Sequence, residues 1–215
     1  MPQPPKPGPR KYLRRYTHLP AAIHLLRTQT LTLLDPSGWD DGNDVFYMQE
    51  YKRRKGLESL LALCLSGADE SYHYWKVFAG NPAGVCIRLR QGMLLKSLRS
   101  NPDILVGEMD YRLMTAARKN QLTVDDFPFV KRHSYIDEAE VRLLWGSDSE
   151  ERNAYSVPIP PGCIGRITLS PWLPKTLVES TRELLCEIQG CSHIEVVRST
   201  IVASEEWKNI ARKAT

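Results

Sequence analysis

Asp137-Glu138-Ala139-Glu140-Val141-Arg142-Leu143-Leu144-Trp145 is the stretch on which the fold turns. From Ala139 to Trp145 it reads as a β-strand, in which successive side chains point to opposite faces. Glu138, Glu140 and Arg142 then share one face, and Ala139, Val141 and Leu143 the other. Carboxylates two residues apart on a strand stand about 7 Å apart, and a neighbouring guanidinium keeps one of them ionised. Such a cluster can hold a ribose hydroxyl or stabilise a cationic transition state. The commoner use of the same pattern is a solvent face of a half-buried strand, laced by cross-strand salt bridges.

Working toward the N-terminus, Ile104 to Tyr111 reads as a strand and Met93 to Leu98 as a helix. Gly84 to Leu89 reads as a strand. Glu70 to Ala79 reads as a helix with Tyr72, Trp75 and Ala79 on one face. Leu60 to Leu65 is a continuous apolar run, expected to be a buried strand. Trp39-Asp40-Asp41-Gly42-Asn43-Asp44 is a polar loop placed to cap a helix running toward Arg54. Thr30 to Leu34 alternates as a strand does, Leu19 to Gln29 has helical spacing with Pro20 in its first turn, and Tyr12 to Tyr16 reads as a short strand.

In the other direction, Asp125 to Ser134 suggests a short helix and Ile164 to Leu169 a strand. Pro174 to Gln189 is the clearest helix, stopped by Gly190. Ile194 to Val197 suggests a last strand, and a final helix ends near Lys213. No internal repeat or linker interrupts residues 11–215. The mixed order of elements predicts a single α+β domain, residues 12–215, with a twisted, split mixed sheet and flanking helices. Residues 1–11 are expected to form a disordered, basic, proline-rich arm.

The chain has 215 residues, 42% of them apolar and 25% charged, enough to bury a core. No apolar run approaches the roughly 18 residues that cross a bilayer. Met1 to Pro9 has no apolar stretch of the secretory kind, so a cytoplasmic protein without membrane attachment is expected. Five cysteines, Cys64, Cys86, Cys163, Cys186 and Cys191, form no C-x-x-C pair and read as reduced, packed thiols. Only Cys186, Cys191 and His193 lie close together in the chain, and no metal is expected. The net charge of +4 is uneven. Lys6, Arg10, Lys11, Arg14 and Arg15 stand in the first 15 residues without an acid, leaving 24 basic against 25 acidic groups elsewhere. That arm could help hold a nucleic acid, while the body lacks the basic balance of a dedicated binder.

Three further constellations carry polar chemistry. The Trp39–Asp44 loop suits a tight turn or a hydroxyl-binding site, but it lacks the spacing of a calcium loop. Tyr72-His73-Tyr74-Trp75 places a histidine off the apolar face of its helix, where an exposed or structural role is the ordinary one. Phe129-Val130-Lys131-Arg132-His133 pairs cations that could clamp a phosphate or end a solvated helix. G-x-S-x-G, P-loop, G-x-G-x-x-G and H-E-x-x-H patterns are all missing, which removes the common hydrolase, kinase, dehydrogenase and zincin readings.

In order, these motifs resemble a bacterial family known as domain of unknown function number twenty-nine seventy-one. The matching pieces are Arg14-Arg15-Tyr16, Trp39-x-Asp41-x-Asn43-Asp44, Cys64-Leu65-Ser66, Tyr72-His73-x-Trp75, Gly84-Val85-Cys86-Ile87, Phe129-x-Lys131-Arg132, Glu138-x-Glu140-x-Arg142 and Ser170-Pro171-Trp172-Leu173-Pro174. The family name implies no activity. A second likeness does. Leu13 to Leu19, followed by a helix and Leu31, resembles the opening of DarT-type ADP-ribosyltransferases. Ala139-Glu140-Val141 followed by Ile159-Pro160-Pro161-Gly162-Cys163-Ile164-Gly165-Arg166-Ile167 resembles the segment holding their catalytic glutamate. Arg15 stands where those enzymes carry a histidine, and the gap from Glu140 to Ile159 is longer.

That second likeness implies an ADP-ribosyltransferase-like fold and an NAD-consuming enzyme of toxin or phage-defence type, acting on an unknown macromolecular acceptor. Glu140 would be catalytic with Glu138 beside it, and Arg15, Tyr16, Thr17, Asn43, Asp44, Trp75 and Arg142 would contact NAD. The alternative is a non-catalytic ligand-binding or protein-interaction module, which expects Glu138, Glu140 and Arg142 to be exposed and mutually paired with no pocket behind them.

Overall fold

Strand Glu140–Ser147 pairs antiparallel with Ser59–Ser66 along its whole length, from Ser59 opposite Ser147 to Ser66 opposite Glu140. On its other edge it pairs antiparallel with Ile104–Glu108. A strand with partners on both edges and helices over its face is buried on both sides, and here all positions from Glu140 to Trp145 are buried. The solvent-face expectation for this stretch is therefore overturned: its charges lie inside the protein.

The computed structural model describes residues 8–119 and 121–214. Among these the strands are β1 Tyr12–His18, β2 Thr30–Leu34, β3 Ser59–Ser66, β4 Gly84–Arg90, β5 Ile104–Glu108, β6 Asp110–Arg112, β7 Val130–Arg132, β8 Glu140–Ser147, β9 Ala154–Pro158, β10 Ile164–Leu169 and β11 Glu195–Arg198. The helices are α1 Leu19–Thr28, α2 Gly42–Lys55, α3 Tyr72–Phe78, α4 Gln91–Leu98, α5 Met114–Lys119, α6 Lys175–Glu187 and α7 Glu205–Lys213. The fold is α+β with a mixed sheet and flanking helices.

The chain divides into two compact units. Among the described residues the first comprises 8–13, 29–68 and 90–163. Its strands run in the order β9-β2-β3-β8-β5, with every pair antiparallel. Helix α2 lies over one face of this sheet. Met48 and Tyr51 pack there against Leu60, Ala62, Leu144 and Phe129. Asp41 caps α2 by accepting the Asn43 N–H at 3.0 Å. Gly56 ends it in a left-handed conformation, φ 64°, which glycine adopts without steric cost. Basic residues Lys52 to Lys55 fill the last turn and Asp44 the first, as the helix dipole favours.

The second unit comprises residues 14–28, 69–89 and 164–215, with strand order β11-β10-β4-β1. Here β10 and β11 are parallel, whereas β10 and β4 are antiparallel. Trp75, Ala79 and Cys86 form its small core with Tyr16 and Trp172 packed around them. The buried face of α3 is Tyr74, Trp75 and Ala79; Tyr72 is exposed, contrary to the expected stripe, and so is His73.

Two expected elements are divided. The run from Ile104 to Tyr111 splits at Met109, whose N–H bonds to the Glu140 carbonyl at 3.0 Å. Beyond it β6 pairs with β7 as a separate two-stranded parallel sheet. The expected helix from Asp125 to Ser134 becomes the 3-10 turn Val124–Phe129, strand β7 and a second 3-10 turn, His133–Glu138. Pro128, which has no N–H to continue a helix, lies inside the first turn. Residues 1–7 of the expected arm lie outside the described residues. Gly8 and Arg10 are held: the Gly8 N–H donates to Glu108 at 3.0 Å, and Gln91 bonds both the Arg10 N–H and the Gly8 carbonyl. Arg10 also pairs with Glu108.

Candidate active site

Strand alternation puts Leu60, Ala62, Cys64 and Ser66 of β3 on the same face as Glu140, Arg142 and Leu144 of β8. Helix α2 covers the Leu60–Ala62–Leu144 end of this face with apolar side chains. At its N-terminal turn the cover becomes charged, because Asp44 meets Arg142.

The Arg142 guanidinium is completely enclosed, 0% exposed. It grips Asp44 with two parallel bonds, Nη1 to Oδ1 at 2.9 Å and Nη2 to Oδ2 at 2.7 Å. Its Nε donates to Glu140 Oε1 at 2.8 Å, and Nη1 also donates to the Pro128 carbonyl at 2.9 Å. Trp39 lies over it, with the ring centre 4.7 Å from Cζ. A buried guanidinium is tolerable only where its donors find acceptors, and each of its three nitrogens has one here. Gly107, opposite Arg142 on β5, adds no side chain to this crowded face.

Lys131, on β7, closes the other side. Its ammonium donates to Glu138 Oε2 at 2.7 Å and to Glu140 Oε2 at 3.3 Å, with Asp44 Oδ2 at 3.7 Å. Its ring neighbour is Tyr135, 4.7 Å away. Attraction to Glu140, Glu138 and Asp44 outweighs the effect of burial and raises the lysine above its ordinary value. Glu138 is not on β8. It ends the 3-10 turn, and Ala139 follows in a left-handed conformation, φ 42°. The turn nevertheless returns Glu138 to Lys131.

Glu140 is 4% exposed. Burial alone would raise its pKa, but the charges of Arg142 and Lys131 and the hydrogen bonds from Arg142 and the Cys64 thiol bring it down to about 2. Its backbone N–H donates to the Tyr111 hydroxyl at 2.8 Å. Glu138, with Lys131 as its partner, is raised by burial and by the nearby Glu140 and Asp44 carboxylates.

Cys64 breaks the pattern of its strand. β3 is buried from Ser59 to Leu65 except at Cys64, which is exposed. The sheet face is thus open to solvent at Cys64, beside Glu140 and opposite Arg142. The surrounding protein and the Glu140 carboxylate raise the Cys64 thiol well above its ordinary value. In the same unit a cavity of about 160 Å³ is lined by Asp41, Asn43, Asp44, Arg112, Lys131 and Arg132, with Tyr47, Met114, Leu122 and Val130 among its apolar walls.

The structure therefore brings Asp44, Glu138, Glu140 and Arg142 together in the first unit, with Asn43 lining the cavity. Arg142 has no exposed atom, and its bonds hold Asp44 and Glu140 in place. Arg15, Tyr16, Thr17 and Trp75 belong to the second unit. Tyr16 and Trp75 pack edge to face there, ring centres 5.3 Å apart. Trp75 is 0% exposed and donates its indole N–H to Glu70 at 2.7 Å. It is a core residue of the second unit.

Lys131, Tyr111, Trp39 and the Pro128 carbonyl belong to the network without having been singled out for it. Lys131 read as a phosphate clamp because its neighbour Arg132 is also cationic; β7 alternation points Lys131 inward and leaves Arg132 exposed. A cysteine in the middle of the apolar run Leu60–Leu65 was the one available signal for the opening at Cys64.

No family model matches the chain, so the resemblance to the domain-of-unknown-function family is not shown, and no curated protein matches it. Solved structures with a similar course include three of Thermus sp. 2.9 DarT. The complex with NAD+ is 9% identical, with 92% of this chain and 98% of that chain covered and a TM-score of 0.45. The complex with ADP-ribosylated ssDNA is 11% identical, with 92% and 96% covered and a TM-score of 0.46. The complex with carba-NAD+ is 10% identical, with 91% and 97% covered and a TM-score of 0.44. No helix among the described residues is long and apolar enough to cross a membrane.

Proposed function

We propose that the chain is an ADP-ribosyltransferase-like enzyme that takes NAD as substrate, with Glu140 as its acting carboxylate and a macromolecule as acceptor. The observation that carries this reading is the opening at Cys64: on a strand otherwise buried, solvent reaches the sheet face beside a carboxylate held permanently ionised. The Ala139-Glu140-Val141 and Ile159-Pro160-Pro161 motifs support it independently.

Breaking the bond between nicotinamide and ribose develops positive charge on the sugar. A fixed carboxylate stabilises that charge and accepts a ribose hydroxyl, and in a confined site this contributes more than it would in water. With a pKa of about 2, Glu140 is ionised throughout the physiological range. Arg142 occupies one direction at Oε1 and Lys131 one at Oε2. The Cys64 thiol takes a third, and since a carboxylate has about four acceptor directions, one is left for substrate. Arg142 and Lys131 act as positioning residues that hold the carboxylate still.

The test is incubation of the full chain with labelled NAD and a cell lysate, following nicotinamide release and label transfer. Glu140→Gln should lose both while retaining NAD binding by calorimetry and a native circular dichroism spectrum. Failure of the parent chain to bind NAD or release nicotinamide would overturn the proposal. The cavity at Asn43, Arg112 and Lys131 favours a second reading, a binding module for a small ligand. That reading expects saturable binding with no nicotinamide release, unchanged in Glu140→Gln.

A further inference from the structure

Helix α7 buries none of its residues. Every residue from Glu205 to Lys213 is exposed, with Trp207 at 75% and Ile210 at 60%. Isolated helices shorter than about 12 residues are marginal in water, and α7 has nine. Ser204 caps it by accepting the Trp207 N–H at 3.1 Å, but a cap does not bury the apolar side. A nine-residue helix presenting a tryptophan and an isoleucine calls for a covering surface.

The spacing specifies what covers it. Trp207 and Ile210, three residues apart on α7, take the a-to-d interval of a coiled-coil seam. With Trp207 and Ile210 as the seam, Glu206 and Lys213 lie on one flank, while Ser204 and Ala211, both small, lie on the other. The remaining charges are satisfied within the helix on its outer side: Glu205 pairs with Lys208 at 2.7 Å and with Arg212 at 3.4 Å. Among the described residues Glu206 and Lys213 have no partner.

We propose that α7 pairs antiparallel with α7 of a second copy of this chain about a two-fold axis. In antiparallel pairing a flank meets its own counterpart, so Glu206 of each copy meets Lys213 of the other, giving two symmetric ion pairs. The small flanks of Ser204 and Ala211 meet on the opposite side and let the helices approach. Trp207 packs against Ile210 across the axis, and the acidic first turn of each helix faces the basic last turn of its mate, as their dipoles favour. A parallel pair would set Glu206 beside an alanine and leave it uncompensated. The helix rises only about 13 Å, so its contact is smaller than the standard interface of about 800 Å² per partner. A weak, concentration-dependent dimer follows.

The test is sedimentation velocity on the full chain over a concentration series reaching the hundred-micromolar range. The parent should show a reversible monomer–dimer equilibrium, weakened by salt. Glu206→Lys and Lys213→Glu should each lose the dimer, and the double exchange should restore it. Because these side chains are fully exposed, the exchanges leave the fold intact, which circular dichroism checks. Trp207→Ala should also lose it. A parent chain monomeric throughout, or single exchanges that leave association unchanged, would overturn the proposal.

Discussion

Arg142 and Asp44, 98 residues apart in the chain, meet in a two-bond clasp with Nη1–Oδ1 at 2.9 Å and Nη2–Oδ2 at 2.7 Å. The clasp joins the first turn of α2 to the centre of β8. It also sets Arg142 so that Nε reaches Glu140. Helix placement and carboxylate placement are therefore one arrangement.

Removing one member of a buried pair leaves the other charged and uncompensated, which costs about 3–5 kcal/mol. Asp44→Ala is expected to lower stability by that order, read as a fall in the urea midpoint. Asp44→Asn should lose less, since its amide oxygen still accepts. A loss below about 1 kcal/mol for Asp44→Ala would show that Arg142 finds other partners.

Glu140 supplies an acid-dependent part of the stability. Its folded pKa of about 2 lies below the ordinary 4.5, so its contribution is fully present above 4.5 and is lost as pH falls toward 2. The amount is roughly 3 kcal/mol. Glu138, raised in the folded protein, acts with opposite sign, its contribution declining as pH rises through its folded value. Unfolding free energy measured across this range should fall toward acid in the parent, and Glu140→Gln should flatten most of that slope. An identical slope in the variant would remove Glu140 from the account.

Cys64 reports on the opening. It should take a maleimide in the native protein as pH is raised, slowly because its thiol is held protonated, whereas Cys86, Cys163 and Cys191 are buried and should stay protected. Cys64→Trp should fill the opening and abolish NAD binding without unfolding the chain, whereas Cys64→Ser should retain it. Peptide mapping and calorimetry check both, and a Cys64→Trp variant that binds NAD normally would show that the opening is not the substrate site.

Trp75 separates packing from binding. Its indole N–H and the Ser199 hydroxyl both donate to Glu70. Trp75→Phe should destabilise the protein by about 1–3 kcal/mol, because the smaller ring leaves a gap in a fully enclosed position. NAD affinity of the folded variant should be unchanged. A large drop in affinity at full stability would restore the tryptophan to a binding role.

Much of the fold was legible from local pattern. β2 and β10 begin and end where alternation placed them, and α2 starts from the expected capping loop Trp39–Asp44, with Asp41 as its cap, and runs to the basic last turn at Lys55. The failures lie where the chain turns over the network. Strand β7 is only three residues long, and its parallel partner is β6. A pairing so short has no periodicity to detect. Strand β9 carried too little apolar content to be picked out beside Leu60–Leu65.

Sequence alone established the α+β class, the capping of α2 by the Trp39–Asp44 loop and the nearness of Glu138, Glu140 and Arg142, because caps and alternation are properties of neighbouring residues. Tertiary structure decided that these charges face inward. Burial belongs to the whole sheet: β8 is enclosed because β3 and β5 take both its edges and α2 brings Asp44 from far away in the chain. It also decided that Lys131 joins them and that Cys64 stays open, since each depends on which distant segment covers that face.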